Sequence, residues 1–263
     1  MSIPSPTSAP ATAPAPSGPS VLSTTAAYVG LETRRTLRDP GFVISTIGVP
    51  VMMYLLFTNL GGQDDPAYRT VAMVGMAAYG AMGAALSLGT GVAEDKSTGW
   101  LRQLRITPMT PRRVVTGRAL TGTVVVLPAI AAILLAGGLL NGVRMSPAHW
   151  AAVAVALWLG SLPFTLLGLG NGYRLSAQTA GVVNVACNLG LAVVGGLWFP
   201  VSLFPGRLAE LSAWTPTNRF AELGAALAEG RAPGAAGLAV IAGWAVLFGG
   251  YAAVSYRRSA RTV

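Results

Sequence analysis

Few residues of this chain have a type that could support catalysis, and they stand apart from one another. His149 is the only histidine and Cys187 is the only cysteine. With one histidine and one cysteine, we expect no His-Glu-x-x-His zinc motif, no Ser-His-Asp set and no intrachain disulfide. The Gly-x-x-x-x-Gly-Lys-Ser/Thr motif that binds nucleotide phosphates does not occur in the sequence. We therefore expect no catalytic residue, no metal site and no cofactor in this chain.

The longest polar stretch, Glu94–Arg118, predicts a binding surface instead. It holds six of the eighteen Lys and Arg residues and has long apolar runs on both sides. Inside it, three apolar residues stand at the i+3 and i+4 offsets that share one helical face, with basic residues beside them. The apolar residues are Trp100, Leu101 and Leu104, and the basic ones are Arg102 and Arg105. A short amphipathic helix between two apolar runs is a docking surface for another protein.

The composition indicates that much of the chain is surrounded by lipid. It is 52% hydrophobic and only 10% charged, whereas soluble domains carry about 25% charged residues. The net charge of +9 would suggest nucleic acid in a soluble protein. In a membrane protein the same excess is typical of cytoplasmic loops, which gather Lys and Arg. We therefore expect a membrane protein with no nucleic-acid partner.

Six apolar runs predict an all-α integral membrane protein with six transmembrane helices. Each run is close to or longer than the roughly 20 residues that a helix needs to cross a bilayer. None carries an acidic or basic residue near its middle. The runs are residues 42–60, 70–93, 114–140, 149–170, 179–200 and 235–255.

The ends of the chain have a different character. Residues 1–20 are almost all Pro, Ala, Ser and Thr, which predicts a disordered tail. Residues 21–38 read as a helix lying on the membrane surface, with Arg34, Arg35 and Arg38 towards the headgroups, or as a soluble leader helix. Residues 259–263 read as a basic tail.

The distribution of Lys and Arg predicts the orientation. With the N-terminus inside, thirteen of these residues fall on the inner side and five on the outer side. This asymmetry favours both termini in the cytoplasm. Seventeen arginines against one lysine suggest a GC-rich bacterial genome, so we expect a multi-pass protein of a bacterial cell membrane.

The polar residues inside the spans are neutral. Asn184 and Asn188 stand at i and i+4 in the fifth run and share a face. They could hydrogen-bond between helices or line a polar path through the membrane. Ion-coupled transporters usually bury ionisable groups at mid-membrane, and we find none here. Energy for transport would then come from a separate subunit docked at the polar loop.

Two stretches resemble the permease subunits of ABC type 2 exporters, over about residues 21–258. The run from Glu94 to Thr110 is similar to the loop after their second span, with Gly99-Trp100-Leu101 where Gly-Thr-Leu is usual. The run from Gly196 to Thr217 is similar to their loop before the last span, with Phe199-Pro200 and Thr215-Pro216. Thr215 before Pro216 also predicts a helix N-cap.

The resemblance implies a cytoplasmic coupling helix between spans two and three, and membrane-dipping half-helices between spans five and six. It implies two ABC ATPase subunits, which bind ATP and Mg, and a second permease copy or paralogue. Trp100, Leu101 and Leu104 would be the apolar contact with the ATPase, and Arg102 and Arg105 would pair with its acidic groups. Glu94 and Asp95 would pair with Arg34, Arg35 or Arg38.

The expected function is ATP-driven export of a hydrophobic or amphipathic substrate, such as a drug, lipid or glycan. Two alternatives remain open on the sequence. The chain could be a self-sufficient secondary transporter or channel, or a membrane immunity or scaffold protein that transports nothing.

Overall fold

The computed structural model of the chain describes residues 30–31, 33–60, 65–98, 111–199 and 201–259, with the backbone alone for residues 60 and 111–121. Within these ranges the chain is helical and contains no strand. Six of its helices are long and apolar enough to cross a membrane. The predicted all-α integral membrane fold with six spans is confirmed.

The described helices have the following bounds. The first, α1, is built from Pro40–Val43, a π-helical turn Ile44–Gly48, and Val49–Leu60. After it come α2 (Pro66–Ser97), α3 (Pro111–Leu139), α4 (Pro147–Gly160), α5 (Leu162–Arg174), α6 (Ala177–Val194), α7 (Gly206–Ala213), α8 (Pro216–Ala228) and α9 (Ala235–Ser259). Helices α4 and α5 together form the fourth span.

Capping residues decide where several spans begin. Asp39 and Asp65 each accept a hydrogen bond from the backbone N–H two residues later, at 2.9 Å, and each precedes a proline. Ser146 and Ser176 accept one from the N–H three residues later and cap α4 and α6. These side chains satisfy N–H groups that have no partner within the helix, and proline at the first position removes another.

The central helix of the fold is α2. In its most apolar window 78% of the residues are buried, against 17% for α6 and 11% for α9. The buried part of α2 is rich in alanine and glycine, which lets neighbouring helices approach closely. Helices α1, α3, α5 and α6 all pack against it. Helices α6 and α9 therefore present most of their surface outwards.

The closest approach is a contact between α2 and α5 that we call the glycine seam, formed by Gly89, Gly168 and Gly172. A Cβ atom on Gly89 would collide with the backbone of Gly168, and one on Gly172 would collide with the backbone of Gly89. A Cβ atom on Gly168 would come within 2.7 Å of the Leu86 carbonyl oxygen. Only glycine allows the two backbones to lie this close together.

Two short helices, α7 and α8, fill the connection between the fifth and sixth spans. The predicted cap is confirmed, since the Thr215 hydroxyl accepts a hydrogen bond from the N–H of Asn218 at 3.2 Å and Pro216 stands at the first helical position. Phe220 of α8 is fully buried and its ring lies 5.5 Å from that of Phe164 in α5. Insertion of α7 and α8 into a membrane stays a prediction.

Several boundaries differ from those predicted. The fifth span ends at Val194 rather than near residue 200, because Gly196 takes the left-handed conformation (φ +73°) directly after it. The fourth span is broken at Ser161, before Pro163, and runs on to Arg174 rather than ending near residue 170. Asn171 therefore lies in a helix, just beyond the predicted end of the fourth run.

The predicted surface helix is described only in part. Residues 33–37 are helical, and Arg34, Arg35 and Arg38 are exposed. Residues 21–29 lie outside the described ranges, as do the predicted tail at 1–20 and residues 260–263 of the predicted tail at 259–263. Attachment of this helix to a membrane surface stays a prediction.

Candidate functional site

A groove between α1, α2 and α6 brings together many of the polar residues inside the spans. It has a volume of about 460 Å³, and we call it the α1–α2–α6 groove. Its lining is a mixture of apolar side chains, hydroxyls, amides and charged groups. The lining residues are Arg35, Thr36, Asp39, Phe42, Ser45, Thr46, Gly83, Leu86, Ser87, Leu88, Thr90, Gly91, Glu94, Asp95, Gly181, Asn184, Val185 and Asn188.

Asn184 belongs to a hydrogen-bonded network beside this groove. Its side chain is 4% exposed, and its Oδ1 accepts from Nδ2 of Asn171 in α5 at 2.8 Å. Its Nδ2 donates to Oγ1 of Thr90 in α2 at 3.2 Å. Tyr251 in α9 donates its hydroxyl to Oδ1 of Asn171 at 3.0 Å. The network therefore links α2, α5, α6 and α9 within the apolar interior.

Asn188 lies one turn further along the same face of α6 and has different surroundings. Its Oδ1 is buried and has no hydrogen-bond partner. Its Nδ2 lies 3.2 Å from where a Cβ atom on Gly83 would stand, so glycine leaves room for the amide. A buried oxygen without a donor costs free energy, which a ligand or water with a proton to donate would recover.

The hydroxyls on the groove wall offer oxygen atoms rather than protons. Ser45 donates to the carbonyl of Gly41, and Thr46 to that of Phe42, both at 2.7 Å. Ser87 donates to the carbonyl of Ala84 at 2.7 Å. Because each hydroxyl has one proton, which it gives to its own helix, only lone pairs remain for a bound molecule.

Charged residues gather where α1 begins and α2 ends. Arg35, Asp39, Glu94 and Asp95 all line this end of the groove. Arg34 and Arg38 lie with Arg35 around a second, shallow depression next to it. The residues predicted to join the surface helix to the coupling loop therefore occupy one region. The particular pairing of Glu94 and Asp95 with these arginines stays a prediction.

Lys96 lies next to that charged end and reaches across to α5. Its Nζ donates to the carbonyl oxygens of Leu175 at 2.7 Å, Tyr173 at 3.0 Å and Gly172 at 3.4 Å. Carbonyls at the C-terminus of a helix have no partner within the helix and carry its negative dipole end. The ammonium group therefore caps α5 and ties it to the end of α2.

The predicted ATPase-docking residues lie outside the described ranges, so their role stays a prediction. They are Trp100, Leu101, Arg102, Leu104 and Arg105. The described helices bracket them, since α2 ends at Ser97 and α3 begins at Pro111. Along the sequence, the segment of residues 99–110 therefore starts three residues after Lys96.

Four residues of this region were not assigned a role from the sequence: Thr90, Lys96, Asn171 and Tyr251. Two of them gave a signal. Lys96 is the only lysine among eighteen basic residues, and Asn171 is a strongly polar side chain within a glycine-rich apolar stretch. Threonine and tyrosine are common in membrane helices, so only the packing of the helices shows that Thr90 and Tyr251 belong to the hydrogen-bonded network of Asn171 and Asn184.

The remaining chemical candidates lie apart from one another. His149 stands at the start of α4, and its ring lies 3.3 Å from where a Cβ atom on Gly230 would stand. Cys187 is a half-buried free thiol on α6. Among the residues that the structure describes, no three His, Cys, Asp or Glu side chains come together in a way that could hold a metal ion.

Comparison with known proteins gives one consistent result. Residues 58–254 match the model of a family described as "ABC-2 family transporter protein". The chain is also 28% identical over 222 residues to a protein of Bacillus subtilis (strain 168) named "Putative transport permease YvfS", across 82% of this chain and 90% of that protein. The family match covers well over half of the residues and includes spans two to five completely. The chain therefore belongs to the ABC-2 transporter family, as a multi-pass membrane permease.

Proposed function

We propose that this chain is the membrane subunit of an ATP-driven exporter, which moves a hydrophobic or amphipathic substrate such as a drug, lipid or glycan out of the cytoplasm. The observation that carries the proposal is the α1–α2–α6 groove, which runs along α2 to the end where the predicted coupling segment starts. Helix α2 would then line the substrate path and also lead directly into the segment that binds the ATPase subunit.

The energy would come from a separate ABC ATPase, which would bind ATP and Mg. The sequence has no phosphate-binding motif, and no acidic or basic residue occurs near the middle of any span. In the coupling segment, Trp100, Leu101 and Leu104 would enter an apolar pocket of the ATPase. Arg102 and Arg105 would pair with acidic residues around that pocket.

The lining of the groove supports an amphipathic substrate. Phe42, Leu86 and Val185 offer apolar surface, while Asn188 and the wall hydroxyls offer hydrogen-bond acceptors. A molecule with an apolar body and a few N–H or O–H groups could pack against the apolar surface and donate hydrogen bonds to these acceptors. Beside the groove, Val182 and Val185 of α6 are 67% and 60% exposed. A second permease copy or a paralogue would cover this face of α6.

The orientation follows from the charges. Both termini would lie in the cytoplasm of a bacterial cell, with the charged end of the groove facing the ATPase. Arg34, Arg35 and Arg38 would then lie at the level of the lipid headgroups. The apolar α7–α8 region, with Leu203 and Trp214 exposed at 73% and 71%, would lie in the outer half of the membrane.

Co-purification tests the proposal. The affinity-tagged chain should bring down an ATPase with a phosphate-binding motif from its native host, and the joint variant Leu101→Asp/Leu104→Asp should lose it. Gln103→Asp is the control, because it adds a negative charge to the same segment while keeping Leu101 and Leu104, and it should retain the ATPase. Equal recovery with all three chains would contradict the docking role. Transport by the purified chain alone in liposomes without ATP would contradict the proposed function.

A further inference from the structure

The position of Lys96 carries a further inference about how the motor would act on the spans, which rests on the proposed function. The coupling segment begins three residues after Lys96, and the three carbonyls that Lys96 binds all belong to the end of α5. A displacement of the segment can therefore reach the membrane interior through this part of α2 on one side and through α3 on the other.

The contact continues along the helices without a break. Beyond Lys96, the glycine seam of Gly89, Gly168 and Gly172 holds the backbones of α2 and α5 against each other. Val92 of α2 packs with Leu169 and Tyr173 of α5 in one buried cluster. Because no flexible side chain separates these two backbones, a displacement of one helix moves the other by nearly the same amount. Helices α2 and α5 are therefore joined from the seam to the end of α2.

The choice of lysine fits this position. The chain uses arginine at seventeen of its eighteen basic positions and lysine only here. An ammonium group is a compact donor of three rotatable N–H bonds, which can meet three carbonyls that converge on one point. The planar guanidinium group of arginine fixes its donors in a fork that suits a carboxylate better than the end of a helix.

We propose that Lys96 is a positioning residue that fastens the start of the coupling segment to the α2–α5 pair, so that a displacement of the segment by the ATPase moves both helices as one unit. The Asn171–Asn184 bond then carries the movement from α5 to α6, which forms the opposite wall of the groove. Removal of the ammonium group leaves ATP hydrolysis intact and uncouples it from α6.

The first experiment tests the contact itself, since Lys96 is the only lysine of the chain. The Arg174→Lys variant adds an exposed lysine at the same helix end as an internal reference. The variant, in lipid nanodiscs, is treated with N-hydroxysuccinimidyl acetate, and both sites are quantified by peptide mass spectrometry. Lys96 should react at least about tenfold more slowly than the reference, because its ammonium group must first leave three acceptors. Equal rates would overturn the inference.

The second experiment tests transmission and uses the single cysteine as a reporter on α6. Cys187 in the permease–ATPase complex is labelled with N-ethylmaleimide, with and without ATP and vanadate. The nucleotide should change the labelling rate of the wild-type chain, so the ratio of the rates with and without nucleotide should differ from one. Lys96→Gln should bring this ratio close to one while ATP hydrolysis persists. Lys96→Arg should restore part of the ratio. Arg174→Gln is the matched control, which removes an exposed cation from the same helix end and should keep the full ratio.

The outcomes separate this inference from the proposed function. A Lys96→Gln complex that hydrolyses ATP and keeps the full labelling ratio would overturn the positioning role alone. A parallel loss of thermal stability, assembly and hydrolysis, unrelieved in Lys96→Arg, would reduce Lys96 to a structural residue and would also overturn it. An unchanged labelling rate in the wild-type complex, or no ATPase to form one, would overturn the inference together with the proposed function.

Discussion

The side chains of Asn171 and Asn184 are hydrogen-bonded to each other between α5 and α6, with Nδ2 of Asn171 donating to Oδ1 of Asn184 at 2.8 Å. Asn184 is 4% exposed and Asn171 is equally buried. Because Tyr251 donates to Asn171 and Thr90 accepts from Asn184, the pair stands at the centre of the contact between four helices. In an apolar interior such a pair fixes the relative position of the helices that carry it.

Replacement of Asn184 by alanine should destabilise the protein by about 1–2 kcal/mol, since Nδ2 of Asn171 would lose its acceptor in a buried position. Thermal unfolding in detergent, followed through the reaction of Cys187 with a thiol-specific dye, would measure the loss. Val182→Ala is the control, because Val182 is on the same helix and 67% exposed. An equal effect of both substitutions would contradict a structural role of the amide.

The double variant Asn171→Leu/Asn184→Leu should be more stable than the sum of the two single variants predicts. Removing both partners leaves neither with an unpaired polar atom, whereas each single substitution does. A thermodynamic cycle over the wild type, the two single variants and the double variant gives the coupling energy, which we expect at about 0.5–2 kcal/mol. Simple additivity would mean that the two amides act independently.

Gly89→Ala should destabilise the protein by about 2 kcal/mol or more, because the new methyl group would force α2 and α5 apart at the glycine seam. Gly91→Ala is the matched control in the same helix, as no atom lies within 4 Å of its Cβ position. Alanine there should be neutral or stabilise by up to about 1 kcal/mol through helix propensity. Comparable losses in the two variants would rule out close backbone contact at Gly89.

Asn188→Leu should keep or raise the stability of the protein, since the buried Oδ1 of Asn188 has no partner to lose. If the groove is the substrate path, the same variant should lower the stimulation of ATP hydrolysis by transported amphiphiles. A screen of dyes, lipids and glycans against the permease–ATPase complex would measure both effects. A loss of stability as large as that of Asn184→Ala would contradict the difference between the two asparagines.

A charge exchange tests the predicted link between the surface helix and the coupling loop. Arg35→Glu should weaken the assembly of the complex, and Arg35→Glu/Glu94→Arg should restore it in part. The effect should be at most about 1 kcal/mol and should fall at high salt, because both side chains are solvent-accessible. Co-purification of the ATPase at low and high ionic strength would measure it. No recovery in the double variant would point to a different partner for Arg35.

The six spans could be predicted from the sequence because an apolar run is a local signal, whereas most of the helices begin a few residues before the predicted runs. Apolar runs of about 20 residues have few alternatives in a protein this poor in charge. Asp39 and Asp65 before proline, and Thr215 before Pro216, mark helix starts by residue type alone. The end of α6 and the break at Ser161 were missed because helix ends depend on backbone conformation at one or two residues.

The site could be predicted only in part, because it depends on which helices become neighbours. Asn184 and Asn188 were found as polar residues on one face, but only the packing distinguishes the paired amide from the unpaired one. The role of Lys96 needed the position of α5, which is 76 to 79 residues away along the chain. The coupling residues from Trp100 to Arg105 rest on the sequence pattern alone.

The π-helical turn in α1 has a consequence for the shape of the groove wall. The buried residues of α1 are Phe42, Thr46, Pro50, Tyr54 and Thr58, each four positions after the last. In a regular α-helix every step of four overshoots a full revolution by about 40°, so such a row would wind steadily around the axis. The π-helical turn at Ile44–Gly48 has more residues per revolution than an α-helix. A step of four residues there falls short of a full revolution, which offsets part of the overshoot. The row therefore stays turned towards the centre of the molecule, and Phe42 and Thr46, at its start, lie in the wall of the groove.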